Sequence, residues 1–121
     1  MRLPAILLAE DDETINRLLT EFLALRGYTV ESAFNGAEAI EALRRRPYDA
    51  VVLDLMMPGI DGTAVIAFML ETSPELVAKT IVISAYPLAA SVTLRERVCA
   101  VLQKPFDMDA FGLVVDACVA T

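Results

Sequence analysis

Short runs of mostly apolar residues alternate along the chain with stretches in which apolar residues recur at helical spacing. Four runs, AILLA, AVVLD, TIVIS and CAVLQ, cover residues 5–9, 50–54, 80–84 and 99–103. Their length and their lack of polar alternation predict strands that are buried on both faces of a sheet. A weaker candidate, YTVESA at 28–33, alternates apolar and polar residues, which favours a strand at the edge of the sheet.

The stretches between these runs predict five helices. The first has an apolar stripe with i, i+3, i+4, i+7 and i+8 spacing, formed by Ile15, Leu18, Leu19, Phe22 and Leu23, and ends at Gly27. The second helix begins at a capping box formed by Asn35 and Glu38, and the third begins at Asp61 and Gly62. The fourth is indicated by Leu88 and Val92, which lie one turn apart, and the fifth by Asp107 as its N-cap.

Strand and helix therefore alternate five times with short connections. This pattern predicts a single α/β domain, a doubly wound fold with a parallel sheet and helices on both faces, because right-handed crossovers place the helices there. The length of 121 residues suits one domain and is short for two. In such folds ligands bind beyond the carboxyl ends of the strands, so candidate chemistry is sought there.

Composition excludes several classes of function. A net charge of −7 argues against a nucleic-acid-binding surface, and the absence of histidine removes the commonest general base and transition-metal ligand. The apolar runs are too short to span a bilayer, and the chain start is typical of a strand rather than of a signal peptide. We therefore expect a cytoplasmic protein, in which Cys99 and Cys118 are core thiols rather than a disulfide.

Acids, a hydroxyl and an amine follow the predicted strands. Glu10, Asp11 and Asp12 follow the first strand, Asp54 ends the third, Ser84 ends the fourth and Lys104 follows the fifth. In a parallel sheet these side chains meet at one edge. Neighbouring carboxylates repel one another, and a hard cation such as Mg²⁺ relieves the repulsion. For Asp12 the favoured interpretation is a helix N-cap, and for Asp54 an ion pair with Lys104 is the structural alternative.

The same set of groups supports a chemical interpretation. An aspartate beside Mg²⁺ can attack a phosphoryl group and carry it as an acyl phosphate. Lys104 would offset charge on the transferring oxygens, and Ser84 would donate a hydrogen bond to one of them. Asp54, which closes an apolar run in VVLDLMMPGIDG, is the candidate nucleophile.

The order and spacing of ILLAEDDE, VVLDLMMPGIDG, IVISA and LQKPF resemble those of the receiver domain of response regulators in two-component signalling. The resemblance covers nearly the whole chain. It implies a flavodoxin-like (βα)5 fold with strand order 2-1-3-4-5, and it makes Asp54 the phosphoacceptor. It also implies Mg²⁺ ligands from Asp11, Asp54 and the backbone carbonyl of Met56, with Glu10 acting through water, and a cis peptide bond between Lys104 and Pro105.

The resemblance further implies partners and a switching surface. A sensor histidine kinase or phosphotransfer protein would supply the phosphoryl group. An output domain or downstream protein would then bind the phosphorylated form, and dimerisation on phosphorylation is one possible form of the response. The surface is expected on the fourth helix, fifth strand and fifth helix, with Leu88, Val92, Val101 and Phe106 as its candidates. Val101 stands where many receivers have an aromatic switch residue.

Residues 1–121 are thus expected to form one receiver domain, with no output domain in this chain and with no action on an outside substrate. Two alternatives remain at this point. A phosphorylation-independent scaffold would keep the fold without the chemistry. An aspartyl-phosphate hydrolase would need a second acid two residues after Asp54, where the chain has Met56.

Overall fold

The computed structural model describes residues 2–86 and 92–121. The strands are β1 (Ala5–Ala9), β2 (Thr29–Ala33), β3 (Ala50–Asp54), β4 (Thr80–Ser84) and β5 (Ala100–Gln103). The helices are α1 (Glu13–Leu25), α2 (Gly36–Arg45), α3 (Gly62–Thr72), α4 (Pro74–Val77), α5 (Val92–Arg97) and α6 (Met108–Ala120). The five strands form a parallel sheet of order β2-β1-β3-β4-β5, which confirms the predicted fold.

The side chains of the central strands point alternately to two cores, one on each face of the sheet. On one face Leu7 and Leu53 pack against apolar residues of α2 and α3. On the other face Ile6 and Leu8 pack against apolar residues of α1 and α6. Strands β1, β3 and β4 are buried along their whole length, as their continuous apolar runs predict.

Local signals set the starts of the longer helices. Asp12, Asn35, Asp61 and Asp107 are N-caps, and each side chain accepts a hydrogen bond from the backbone amide three residues ahead. Gly27, with a φ of 101°, follows α1, where it was expected to end the helix. The capping signals of all four helices were therefore interpreted correctly.

One helix of the structure differs from expectation. The one-turn helix α4 was not predicted, because four residues are too few to show a helical period. The predicted fourth and fifth helices therefore correspond to α5 and α6. The described part of α5 begins at Val92, and Leu88 lies outside the described residues.

The interpretation of the cysteines as free core thiols was wrong. Cys99 and Cys118 form a disulfide, with their Cα atoms 6.0 Å apart. The core setting itself was correct, since Cys118 is buried in the core between the sheet and the α1 and α6 helices, and Cys99 is half-buried against it. Composition favours free thiols in general, but it contains no information on how α6 packs beside the start of β5. Among the described residues, none of the helices is long and apolar enough to cross a bilayer.

Candidate functional site: an acidic pocket at the strand ends

The carboxyl ends of four strands bring the candidate residues to one edge of the sheet. Asp54 and Ser84 are the last residues of β3 and β4, while Glu10 and Lys104 directly follow β1 and β5. The strand order places β1 beside β3, so the acids that follow β1 lie next to Asp54. Lys104 starts two strands away from β3, and neighbouring strands are about 4.8 Å apart, so only a long side chain can reach Asp54 from there.

Lys104 spans that distance and joins the two buried acids. Its Nζ donates hydrogen bonds to Asp54 Oδ2, at 3.0 Å, and to Glu10 Oε1. Asp54 is 3% exposed and Glu10 is fully buried, so both carboxylates have lost most of their hydration. The ion pair given above as the structural alternative for Asp54 is therefore present, and it gives a countercharge to groups that would otherwise be costly to bury.

The environment shifts the proton affinities of this pair. Burial raises the pKa of Glu10 to about 7, against the lowering effect of the hydrogen bonds from Lys104 and from the Asp12 amide. Burial by itself lowers the pKa of Lys104, but its hydrogen bonds to Glu10 and Asp54 outweigh that effect, and the pKa is raised. Lys104 therefore stays an ammonium ion at neutral pH.

Hydrogen bonds fix the other groups at this edge. The backbone amide of Met56 donates to Asp54 Oδ1 at 2.9 Å, which orients the carboxylate. The hydroxyl of Ser84, a fully buried residue, accepts a hydrogen bond from the Tyr86 amide at 3.0 Å. The Ser84 carbonyl accepts another from the backbone amide of Lys104, at 2.9 Å, so the ends of β4 and β5 are locked together.

Three acids form a cluster that fits a divalent cation. One carboxylate oxygen from each of Glu10, Asp11 and Asp54 lies within 4.8 Å of the others. Three carboxylates facing the single ammonium of Lys104 leave an excess of negative charge when all are ionised. Oxygen ligands of this kind are those that Mg²⁺ prefers, so the residues present fit the metal. Asp12, by contrast, is the N-cap of α1, as its structural interpretation predicted.

Close backbone packing holds the loop that follows Asp54. The Gly62 amide donates to the Leu55 carbonyl at 3.1 Å, and a Cβ on Gly62 would lie only 2.5 Å from the Asp54 carbonyl oxygen. Only glycine allows α3 to begin this close to the end of β3. Nearby, Phe34, Pro58 and Ile60 line a cleft of about 610 Å³ beside Asp11.

Sequence reasoning missed Asn16 as a support of the site. Its side-chain amide is buried and donates to the carbonyl oxygens of Glu10, at 3.0 Å, and of Ala33, at 3.2 Å. These bonds fix the backbone just after β1, where Glu10 and Asp11 lie. The signal was available, because Asn16 lies three residues before Leu19 and seven before Leu23, on the apolar stripe of α1.

The predicted surface residues are not equally exposed. Val92 is 73% exposed at the start of α5. Val101 is half-buried against the core formed with α2 and α3, and Phe106 is half-buried and stacks on Phe111 with ring centroids 5.1 Å apart. The peptide bond between Lys104 and Pro105 is cis, as the resemblance implied.

A parallel sheet of order 2-1-3-4-5, with an acid cluster and a lysine at its carboxyl edge, defines a flavodoxin-like switch domain. The sequence profile of the response regulator receiver domain matches residues 6–116. The chain therefore belongs to the receiver domain family of two-component signalling, as its sequence predicted.

Individual relatives agree with this assignment. The response regulator receiver protein CpdR of Brucella abortus is 36% identical over 108 residues, covering 85% of this chain and 86% of CpdR. The response regulator MprA of Mycobacterium ulcerans is 41% identical over 71 residues, which cover 59% of this chain but only 31% of MprA. The matched part thus spans about a third of that relative.

Solved structures support the same fold. Response regulator TrrA of Thermotoga maritima, solved in complex with Mg²⁺ and BeF, superposes with a TM-score of 0.86 at 31% identity, covering 96% of this chain and 99% of TrrA. The receiver domain of HemR of Leptospira biflexa superposes with a TM-score of 0.84 at 28% identity, covering 98% of this chain and 95% of that domain.

Proposed function

We propose that Asp54 is the phosphoacceptor and takes a phosphoryl group from a phosphohistidine of a sensor kinase or phosphotransfer protein. An oxygen of the Asp54 carboxylate attacks phosphorus, the bond from phosphorus to the imidazole nitrogen breaks, and the leaving imidazole retains the bonding electron pair. The observation that carries this proposal is the buried Asp54 carboxylate, held 3.0 Å from the Lys104 ammonium within a cluster of acids.

The surrounding residues have separate roles in this proposal. Lys104 already donates a hydrogen bond to an Asp54 oxygen, and its ammonium group would also bind the phosphoryl oxygens as negative charge develops on them. Ser84 would donate its hydroxyl hydrogen to one of those oxygens. Glu10, Asp11, Asp54 and the carbonyl of Met56 would hold Mg²⁺, with Glu10 acting through water. When bound, Mg²⁺ supplies positive charge that lowers the repulsion between the carboxylate and the incoming phosphoryl group.

The direct test uses a small phosphodonor, so that no kinase is needed. The protein is incubated with Mg²⁺ and phosphoramidate, and intact-mass spectrometry counts the phosphoryl groups. We expect one group on the wild-type chain and none on Asp54→Asn, which keeps the shape of the side chain but lacks the nucleophile. Asp109→Asn is the matched control, because Asp109 is an exposed acid that does not belong to the acid cluster and should be dispensable.

Other outcomes would identify the two alternative functions. A folded wild-type chain that takes up no phosphoryl group would be a phosphorylation-independent scaffold. Steady release of phosphate from many esters would indicate an aspartyl-phosphate hydrolase. That class lacks support here, because the position two residues after Asp54 is Met56, whose side chain cannot act as an acid or base.

The output is proposed to pass through α5, β5 and α6. Val92 would offer an exposed contact, and Val101 and Phe106 would respond to changes in core packing, because both are half-buried. Leu88 belongs to the same proposal by sequence, although it lies outside the described residues. An output domain, a downstream protein or a second copy of the chain would read this surface after phosphorylation.

We further propose that residues 1–121 act as one receiver domain in the cytoplasm, where phosphohistidine donors and Mg²⁺ are available. The match to CpdR over 86% of that protein supports a unit of this size. Phosphorylation and dephosphorylation would be assisted by the pocket itself, so the domain acts as a switch without an external substrate.

A further inference from the structure

The disulfide connects two elements of the proposed output surface, the start of β5 and the end of α6. Cys99 directly precedes β5, and its backbone amide donates to the Thr80 carbonyl at 2.9 Å. Cys118 lies in the last turn of α6 and is 1% exposed. The bond therefore closes a loop over 19 positions that contains all of β5, Lys104 and most of α6.

The strand it holds has few other constraints. Within residues 2–86 and 92–121, β5 is the last strand of the sheet and pairs with β4 alone, so its other edge has no partner strand. The disulfide adds a covalent connection from the start of this edge strand to the end of the helix beside it. With the bond closed, the start of β5 and the end of α6 cannot move far apart.

The fold has other means of holding α6 in place. Phe111 and Val115 are fully buried in the core beneath the helix. Asp116 accepts hydrogen bonds from the Arg26 guanidinium at both carboxylate oxygens and accepts another from the Tyr28 hydroxyl. Chains of this length usually fold without cross-links, so two thiols at these positions are compatible with the same fold.

We propose that Cys99 and Cys118 form a reversible disulfide latch, through which thiol redox conditions control the mobility of β5 and the end of α6. The argument draws on the cytoplasmic location proposed above, because disulfides in that compartment are typically transient and redox-sensing. The phosphoacceptor pocket lies at the opposite end of β5 from Cys99, so the latch should leave the phosphoryl chemistry intact.

The chemistry is thiol–disulfide exchange with a dithiol reductant of the thioredoxin or dithiothreitol class. A thiolate of the reductant attacks the sulfur of Cys99, the more accessible of the two, and Cys118 leaves as a thiolate that takes up a proton. The second thiol of the reductant then displaces Cys99. Two electrons and two protons reach the cysteines, and the reductant becomes a disulfide. In the opposite direction oxidised glutathione accepts two electrons and two protons from the two thiols, the disulfide forms again, and two molecules of reduced glutathione are released.

The experiment compares the unphosphorylated wild-type chain in oxidised and reduced glutathione, with free thiols counted by alkylation and mass spectrometry. We expect interconversion of the disulfide and the two thiols. Amide hydrogen exchange should rise by roughly tenfold on reduction in peptides covering 99–103 and 114–121, but not in β1. The melting temperature should fall by roughly 10 °C while the reduced chain stays folded at room temperature.

The double variant Cys99→Ala, Cys118→Ala is the matched control. It should show the fast exchange of the reduced wild type in both buffers. The proposal is overturned if the wild-type cysteines stay reduced in oxidised glutathione, if amide hydrogen exchange does not change on reduction, or if reduction unfolds the whole domain.

Phosphoramidate uptake separates the latch from the phosphoacceptor site. Uptake rates that agree within twofold in the two redox states would show that the latch and the phosphoacceptor site are independent. A loss of uptake on reduction would contradict the latch, and an absence of uptake in both states would count against the proposed function alone.

Discussion

At the scale of single residues, Asp54 shows how a costly group is kept buried. Two of its neighbours, Lys104 and the Met56 amide, donate hydrogen bonds to its two oxygens. These bonds offset part of the desolvation cost and fix the carboxylate in one orientation. Gly62 contributes by its lack of a side chain, because it lets the start of α3 approach the end of β3.

The first prediction concerns this close approach. In Gly62→Ala the new Cβ would overlap the Asp54 carbonyl oxygen and the Leu55 Cα, so the backbone that carries Asp54 must shift. We expect a loss of about 2 kcal/mol in the free energy of unfolding, which is typical of overpacking, and a clear fall in the rate of phosphoramidate uptake. Urea unfolding and intact-mass kinetics measure the two effects.

Gly27→Ala is the matched control for this prediction. A Cβ at Gly27 would meet no atom within 4 Å, but the φ of 101° is unfavourable for alanine. The control should therefore lose stability by about 1 kcal/mol while its uptake rate is unchanged. Equal effects of the two substitutions on uptake would mean that the approach of Gly62 does not position Asp54.

At the scale of elements, one acid connects α6 to two neighbouring segments. Asp116 lies 2.6 Å from Arg26 Nη2, and the same carboxylate binds the Tyr28 hydroxyl at the start of β2. The hydrogen bond from Arg26, together with that from Tyr28, lowers the pKa of Asp116. The contact thus connects the end of α1, the start of β2 and α6 through a group whose charge depends on pH.

This contact predicts a pH-dependent contribution to stability. Because the pKa of Asp116 is lower in the folded state, its contribution is complete above the unfolded value of about 3.9 and is lost as the pH falls through the folded value. Asp116→Asn should therefore cost about 1 kcal/mol at neutral pH, a small value because the Asp116 side chain is 42% exposed. Near pH 2 the wild type and the variant should be equally stable.

Urea unfolding across this pH range tests the expectation, with Asp109→Asn on the same helix as the control. Asp109→Asn leaves the pair between Arg26 and Asp116 in place, so we expect less than about 0.5 kcal/mol of change at any pH. A cost of Asp116→Asn that stays constant from neutral to acid pH would mean that Asp116 acts through packing rather than charge.

At the scale of the whole molecule, the strand order creates the site. Acids from β1 and β3 become neighbours because these strands pair, and Lys104 crosses the end of β4 from β5 to reach them. The sheet thereby collects more negative than positive charge at one edge. Because a divalent cation would offset this excess negative charge, and because only the folded chain brings the acids together, binding of the cation stabilises the folded state.

Magnesium should therefore stabilise the folded chain. At a concentration about tenfold above the dissociation constant, Mg²⁺ should add about 1.4 kcal/mol to the free energy of unfolding and raise the melting temperature by about 5 °C. Asp11→Asn should lose most of this gain, whereas Asp109→Asn should keep it, and excess EDTA should reverse it. An equal rise in the Asp11→Asn variant would show that the effect of Mg²⁺ does not come from the acid cluster.

Much of the fold followed from local patterns. The buried runs of β1, β3 and β4 and the caps Asp12, Asn35, Asp61 and Asp107 act within a few residues, so sequence shows them directly. The one-turn helix α4 was missed because it is shorter than the window that reveals a helical period. Asn16 is a polar residue on the apolar stripe of α1, which marks it in the sequence, but its partners lie on other segments and only the structure identifies them.

The sequence by itself determined the alternation of strands and helices, the places where helices begin and the chemical groups that follow each strand. Its resemblance to receiver domains supplied the strand order. Only the tertiary structure decided that Lys104 bonds both Glu10 and Asp54, that Asn16 supports the chain after β1, and that Cys99 meets Cys118. Periodicity and capping are encoded over a few neighbouring residues, whereas these contacts depend on how elements far apart in the chain pack together.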